Sequence, residues 1–421
     1  MDILFVHQNF PGQFVHLARA LHGKPGVRLA VVTHKSNEQK DFVPTARYGW
    51  EPKRAGTPHP IAVNYALRAS RGRMAAKAMI AVRKQGYNPS LIIGHLGWGE
   101  TLFAKDVFPD AKLVIDAEFF YSATGADVGF DPEFPDKGGV DRLFELRAKN
   151  AAILAAMNDA DIAVAPTRWQ ASRFPFHLQE RLSIAHEGID TTLVRPNPSA
   201  IYRVPGGKLN FSAADEVITF VNRNLEPYRG YHVFMRALPT ILAARPRAHV
   251  VIVGGDSVSY GASPQGGRTW KEIFLSEVRD RLPMDRVHFV GKIPFPDFVS
   301  LMQISSAHIY LTYPFVLSWS MLQAMAAGAP LVASRTEPVM EVVENGVNGV
   351  LVDFFAIEQL AHQVIDVLAR PDTYREMRAA ARETIIRNFD LATVCLPRWL
   401  YLLEPSLRCS AVANDIGVKR E

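Results

Sequence analysis

The chain has 421 residues, 48% of them hydrophobic and 21% charged, with a formal net charge of +5. Such a composition belongs to a globular protein of two or three domains and excludes a disordered tail protein, a collagen-like repeat and a disulfide-stapled miniprotein. The mild positive excess favours an anionic partner without choosing among phosphates, lipids and nucleic acid.

The chain opens on Met1-Asp2-Ile3-Leu4-Phe5-Val6-His7, without the basic and long apolar regions of a signal peptide. No apolar run approaches the roughly 18 residues needed to span a bilayer. Cys395 and Cys409 are the only cysteines, which excludes a disulfide framework and a Cys-rich zinc site and points to a reducing compartment. A cytoplasmic protein is expected, with peripheral contact at the inner membrane face left open.

Short runs rich in Val and Ile recur, each followed by a longer stretch with helical spacing. They are 3–6, 29–33, 91–93, 113–115, 162–165 and 182–185, then 217–221, 250–253, 287–290, 309–311, 331–333 and 350–352. Strands apolar on both faces and separated by helices predict parallel sheets covered on both sides. There are too many for one ordinary doubly wound sheet, so two are expected. The stretch 195–215 holds Pro196, Pro198, Pro205, Gly206 and Gly207 without sustained periodicity, which predicts a linker. Domains at 1–200 and 210–385 follow. Helices are predicted over 356–368, 371–388 with Pro371 in the first turn, and 393–403. Residues 386–404 are expected to pack back on the first domain, ahead of a frayed tail at 405–421.

A βα array opens its ligand sites in the turns after its strands. After Val6, His7-Gln8-Asn9-Phe10-Pro11-Gly12-Gln13-Phe14 leads into a helix through His22. Gly12 lets the backbone approach a phosphoryl or sugar group, or serves only a tight turn. Arg68, Arg71, Arg73, Lys77, Arg83 and Lys84 make the next helix basic. That helix suits an anionic membrane beside a lipid-linked acceptor, or is a solvated face. His95 lies in Gly94-His95-Leu96-Gly97-Trp98-Gly99-Glu100, whose glycines permit close approach of a sugar or acceptor, and Glu100 reads as a helix-start residue. Asp116 and Glu118 follow the next run and suit hydrogen bonding to, or deprotonation of, an acceptor hydroxyl. His186 and Glu187 are further acceptor-side candidates. For each histidine a structural role is the alternative.

In the second half, Arg223 and Arg229 flank a strand-to-helix loop. Two guanidinium groups there can grip a diphosphate with charge that does not titrate away, or stand solvated at the surface. Ser318, Trp319 and Ser320 open a short helix that Gly328 ends. Its free amides and hydroxyls suit a phosphate, and Gln323 one turn in can reach a ribose hydroxyl. A buried helix whose serines only cap is the alternative. No His-x-x-x-His or paired Asp motif supports a metal.

Taken together, the residues from Arg223 to Asp353 resemble the donor-binding half of glycosyltransferase family 4, retaining enzymes of the GT-B fold. The family's arginine and basic-residue-glycine pair is similar to Arg223 and Arg229-Gly230. Its Val-Gly-Gly turn is similar to Val253-Gly254-Gly255-Asp256, and its Phe-x-Gly strand end to Phe289-Val290-Gly291. Leu322-Gln323-Ala324-Met325-Ala326-Ala327-Gly328 resembles Leu-Glu-Ala-Met-Ala-x-Gly. Pro338-Val339-Met340-Glu341-Val342-Val343 and Asn345-Gly346-Val347-Asn348-Gly349 complete the signature. Phe10-Pro11-Gly12-Gln13-Phe14 and Glu118-Phe119-Phe120-Tyr121 also resemble one branch of the family.

The resemblance implies an α/β protein with two doubly wound Rossmann-like domains facing a central cleft. The acceptor would sit on the first and a nucleotide-diphosphate sugar, as co-substrate, on the second, with no metal and no further cofactor. It implies that Arg223 and Arg229 stabilise the leaving diphosphate. Gly12, Gly254, Ser318, Trp319, Ser320, Gln323 and Glu341 would surround the donor, with Gly291 and Lys292 near the base. His95, Asp116 and Glu118 would serve the chemistry. Two departures stand out: the family's glutamates, seven residues apart, fall on Phe315 and Gln323. Gln323 keeps a hydrogen bond to ribose but brings no charge, and Phe315 cannot replace a carboxylate. The expected activity is sugar transfer to the hydroxyl of a glycan, lipid-linked or small-molecule acceptor. Its rivals are a GT-B epimerase or hydrolase and a non-catalytic sugar-nucleotide-binding protein. Nucleic acid is not an expected partner, since no reading module or aromatic platform accompanies the charge.

Overall fold

The computed structural model describes residues 1–52, 59–135, 138–207 and 209–404. The expected tail, with Cys409, lies outside the described residues. The described residues form two units, Met1–Gly188 together with Leu391 to Glu404, and Ile189–Asp390.

The first unit is built on seven strands: β1 (Asp2–Val6), β2 (Arg28–His34), β3 (Thr45–Tyr48), β4 (Leu91–His95), β5 (Lys112–Asp116), β6 (Ile162–Ala165) and β7 (Leu182–Ile184). They lie in the order β3-β2-β1-β4-β5-β6-β7, all parallel. Alternate residues of β1 serve opposite faces. Leu4 and Val6 pack with Ala75 and Met79 of the helix Val63–Lys84, while Ile3 and Phe5 pack with Phe14 and Leu17. Both faces are covered, which is why the strand is apolar throughout. The helix Val63–Lys84 comes close to the turn after β4: a Cβ on Gly72 would stand 2.4 Å from the Gly99 carbonyl oxygen.

The final helix, Leu396–Leu403, follows a π-helical turn at Leu391–Cys395. Its Trp399, Leu400 and Leu403 join the core around Ile3 and Phe5, and Trp399 Nε1 donates to the His186 carbonyl at 3.2 Å.

The second unit opens with an antiparallel hairpin, β8 (Ile201–Arg203) and β9 (Asn210–Ser212). Its parallel sheet holds β10 (Val217–Asn224), β11 (His249–Gly255), β12 (Val287–Gly291), β13 (Ala307–Tyr310), β14 (Leu331–Ser334) and β15 (Val350–Val352). The order is β12-β11-β10-β13-β14-β15. The unit begins at Ile189, ahead of the expected linker. Within 195–215 the hairpin buries Tyr202 and Phe211 in the second core, so this stretch is part of the unit it was expected to precede. The helix predicted from Pro371 runs over Arg375–Phe389, because residues 371–374 form turns ahead of it.

Truncating Trp399 removes a buried indole and its hydrogen bond. Trp399→Ala is expected to lower stability by about 3–5 kcal/mol, measured by denaturant unfolding. A loss below about 1 kcal/mol would show that the final helix contributes little to the first core.

Candidate active site

In both sheets the strand order reverses beside the central strand, between β1 and β4 in the first unit and between β10 and β13 in the second. The loops leaving such a pair diverge to opposite faces of the sheet and open a crevice outside the carboxyl ends. Residues at these four strand ends are therefore the ones to examine.

In the first unit, His7 follows β1 and His95 ends β4. His95 is buried, with Nε2 3.2 Å from Glu118 Oε2. Its Nδ1 accepts the Gly97 N–H at 2.9 Å, so the neutral ring carries its proton on Nε2, facing the carboxylate. Gln13 Nε2 donates to the other Glu118 oxygen at 3.2 Å, and Gln170 Nε2 holds the Glu118 carbonyl at 2.6 Å. Burial pulls the His95 imidazole down, but the hydrogen bond and charge of Glu118, with Asp116 and Glu100, push it up to about 9. Burial would raise Glu118, yet the His95 contact and the Gln13 bond hold it below the ordinary range.

His7 stands edge-on to His95, ring centroids 6.0 Å apart, and burial together with the His95 charge lowers it to about 3. Its Nδ1 accepts the Asn9 N–H at 3.2 Å. Its Nε2 makes no hydrogen bond among the described residues, and the same holds for both carboxyl oxygens of buried Asp116. Burial raises Asp116 well above its usual value, opposed by His95 and reinforced by Glu187 and Glu118.

In the second unit, Arg223 is exposed near the end of β10, whereas Arg229 is 5% exposed. Arg229 Nη1 donates to Tyr310 OH (3.2 Å), Thr312 Oγ1 (2.7 Å) and the Val316 carbonyl (3.2 Å), which also accepts from Nη2. These bonds tie the turn after β10 to the loop after β13. Gly230 makes the turn possible: its φ is +66°, and a Cβ there would stand 2.3 Å from Leu311 Cβ. Glu226, 1% exposed, accepts backbone N–H groups of Ser259, Tyr260 and Gly261, fixing the loop after β11.

The loop after β13 leads into the helix Trp319–Ala327. Ser318 is its N-cap, accepting from Ser320 N at 3.3 Å, and Gly328 ends it at φ +77°. Tyr310 OH accepts the Ser318 N–H at 2.9 Å, so one hydroxyl joins Arg229 to the start of this helix. Gln323 is half-buried on the helix. Phe315 is buried, its ring 5.0 Å from that of Tyr260 and 5.6 Å from that of Tyr228.

The strand ends thus bring together Arg229, Ser318, Trp319 and Ser320 in the second unit, and His95, Asp116 and Glu118 in the first. Several expectations change. The two arginines are not equivalent, since one is exposed and the other is spent on protein groups. Gly12 has φ +48°, and a Cβ there would stand 2.5 Å from His7 Cε1, so the close approach it permits is that of His7. Gly94, Gly97 and Gly99 likewise make room for Thr101, His95 and Arg68.

Glu100 is not a helix-start residue but is buried, accepting from Tyr48 OH at 2.8 Å with Arg71 3.9 Å away. Gly254 fits against Leu225, and Gly255 against Asn224 and Lys292, while Gly291 and Lys292 are exposed at the end of β12. Glu341 lines an open pocket of about 540 Å³ with Arg335, Glu344, Asn348 and Thr384. His186 and Glu187 are 3.3 Å apart, and His186 Nδ1 accepts the Gly188 N–H at 3.0 Å.

Of the basic helix, Arg68 and Arg71 turn inward to Gly97 and Gln8, leaving Arg73, Lys77, Arg83 and Lys84 exposed. Among the described residues no helix is long and apolar enough to cross a membrane, and no group of three or more His, Cys, Asp and Glu could hold a metal. Sequence reasoning missed His7, Gln13, Glu226 and Tyr310 as site-building residues. His7 alone had a signal, its place directly after the first strand.

A model of the glycosyl transferase family 4 group matches residues 25–194, and one of glycosyl transferases group 1 matches residues 207–384. A D-inositol 3-phosphate glycosyltransferase of Segniliparus rotundus is 24% identical over 53% of this chain and 47% of its own length. A GDP-mannose-dependent alpha-(1-6)-phosphatidylinositol monomannoside mannosyltransferase of Mycolicibacterium smegmatis is 25% identical over 56% of this chain and 60% of its own. The chain thus spans about half the length of the curated relatives it matches.

Among solved structures, sucrose-phosphate synthase of Thermosynechococcus elongatus aligns over 94% of this chain and 96% of its own, with a TM-score of 0.68 and 17% identity. HepE of Anabaena, solved with UDP-glucose, aligns over 96% and 99%, with a TM-score of 0.63 and 19% identity. With two doubly wound sheets and these two family models along its length, the chain belongs to the glycosyltransferases of the GT-B fold.

Proposed function

We propose that this chain transfers a sugar, with retention and without a metal, from a nucleotide-diphosphate sugar held by the second unit to a hydroxyl acceptor held by the first. The observation that carries the reading is the joining of the β10 turn to the helix Trp319–Ala327 through Arg229 and Tyr310. Both donor motifs thereby meet at the switch point of one sheet. Arg223 supplies the untethered charge for the leaving diphosphate, and Arg229 shapes the loop that receives it. In the first unit, Glu118 accepts from His95, and the buried carboxyl of Asp116, without a hydrogen-bond partner among the described residues, is placed to meet a sugar or acceptor oxygen. The relatives' printed substrates support a sugar nucleotide donor and an inositol-like or lipid-linked acceptor.

Thermal-shift titration with UDP, GDP, ADP and dTDP tests donor binding, because a ligand of the folded state raises its apparent stability. Binding of none of them would overturn the reading. Product analysis with donor alone separates transfer from epimerisation or hydrolysis.

Arg223→Ala is expected to lower kcat/KM by about 10²-fold or more while leaving the melting temperature unchanged. Arg229→Ala should lower both, because it leaves Tyr310, Thr312 and Val316 without their buried donor. Equal stability losses in the two variants would contradict this division of roles.

The His95 pKa is raised on folding, so its contribution to stability is complete below about pH 6.5 and fades as pH rises through about 9. The stability difference between wild type and His95→Gln should therefore shrink by up to about 3 kcal/mol over that window. A difference that stays flat with pH would remove the charged pair from the account.

A further inference from the structure

The turn after β4 carries an aromatic ring that the reaction described above does not use. Trp98 is 43% exposed, although the backbone on either side of it is tightly held. Gly97 donates its N–H to His95 Nδ1 at 2.9 Å and accepts Arg68 Nε on its carbonyl at 2.8 Å. Gly99 has φ +94°, and a Cβ there would stand 2.4 Å from the Arg68 carbonyl oxygen. Its own carbonyl accepts the Leu102 N–H at 3.1 Å. With no side chain at 97 or 99, the flanking residues of the turn leave the indole uncovered.

The indole runs nearly parallel to the His95 imidazole, with ring centroids 6.0 Å apart and planes at 26°. His95 Nε2 in turn is 3.2 Å from Glu118 Oε2, and the Glu118 side chain is partly exposed. A flat apolar surface and a polar pair therefore stand side by side at the end of β4.

A single exposed aromatic side chain is ordinary on a protein surface. Trp98 differs in two respects: its backbone is fixed against the helix Val63–Lys84, and it borders the crevice end of a strand beside the switch point. Holding a ring in place beforehand lowers the ordering cost that a ligand must meet.

The ligand that fits has to offer an apolar face and a hydroxyl together. A nucleobase has the face but no hydroxyl for the Glu118 carboxylate. An open-chain polyol has hydroxyls but no fixed face. A pyranose ring has both: its C–H groups, slightly positive, pack on the electron-rich face of an indole, while its hydroxyls stand around the rim.

We propose that Trp98 is the stacking platform of the acceptor subsite, carrying the ring of a pyranoside while one of the ring's hydroxyls faces His95 and Glu118. The inference rests on the acceptor reading of the first unit and narrows that acceptor to one that presents a cyclic sugar.

Ligand-observed NMR titration of the full chain with the methyl pyranosides of glucose, galactose and mannose, and with sorbitol, tests it. At least one pyranoside should bind wild type, and sorbitol should not. Trp98→Leu, which keeps an apolar side chain but not a flat one, should weaken that binding about ten-fold or more. Trp98→Tyr should keep most of it. Nucleotide binding should be equal in the three chains, which separates this outcome from misfolding; its absence in wild type would count against the donor reading alone. Failure of wild type to bind any of the pyranosides, equal affinity in Trp98→Leu, or equal binding of sorbitol overturns the proposal. An equal loss in both variants marks a packing role for Trp98 beside His95 and overturns it too.

Discussion

A guanidinium almost wholly removed from water organises the second unit. Burying a charge costs several kcal/mol unless its hydrogen bonds are replaced, and Arg229 replaces them with Tyr310, Thr312 and the Val316 carbonyl. The planar fork matters: a lysine ammonium could not address two side-chain hydroxyls and a carbonyl in this arrangement from one fixed head. Because the bonds reach across from the β10 turn to the β13 loop, the start of the helix Trp319–Ala327 is set by Arg229 and Tyr310 together with its own N-cap, Ser318. Gly230 then has no freedom to be anything else, since Leu311 occupies the space a side chain would need. A group so committed has no spare geometry for a ligand, which is why the proposed phosphate charge falls to exposed Arg223.

The departures at positions 315 and 323 look different in this setting. Phe315 lies in an aromatic group with Tyr228, Tyr260 and Tyr313, next to the loop that Glu226 clamps. A carboxylate buried in that group would give up these ring contacts and would need a hydrogen-bond partner to offset its desolvation. The substitution is therefore consistent with packing of the loops around it, and the polar contact it displaces has to come from elsewhere in the site. Gln323 sits on a helix whose first turn retains Ser318 and Ser320. There a neutral amide can still offer both a donor and an acceptor.

How much of this was legible depends on what each feature needs from distant sequence. The two sheets were visible because strands covered on both faces must be apolar throughout, as in Ile3 to Val6 and Val217 to Val221. β3 was not, because Thr45-Ala46-Arg47-Tyr48 sits at a sheet edge and reads as polar. The hairpin β8–β9 hid behind prolines and glycines, which mark turns without saying whether two short strands flank them. The candidate site divides in the same way. Residues at strand ends could be named from periodicity alone. Partners supplied from elsewhere, such as Gln13 for Glu118 and Tyr310 for Arg229, follow only from how the strands lie side by side.

The first unit joins two environments of opposite sign through one loop. On one side, Glu118, Asp116 and Glu100 raise the proton affinity of His95. On the other, Arg68 Nε donates to the Gly97 carbonyl at 2.8 Å, bringing a guanidinium to the same turn. Gly97 is shared by both, and it must be glycine, because a Cβ would stand 2.7 Å from His95 Cε1. Opposite fields held a residue apart would be wasted on a uniform ligand. They suit a molecule that is itself polarised. Moving either field would turn such a molecule around. Under the proposed transfer, the loop 96–100 would set which end of the acceptor meets His95 and Glu118, so that its orientation comes from charge placement more than from the shape of the pocket.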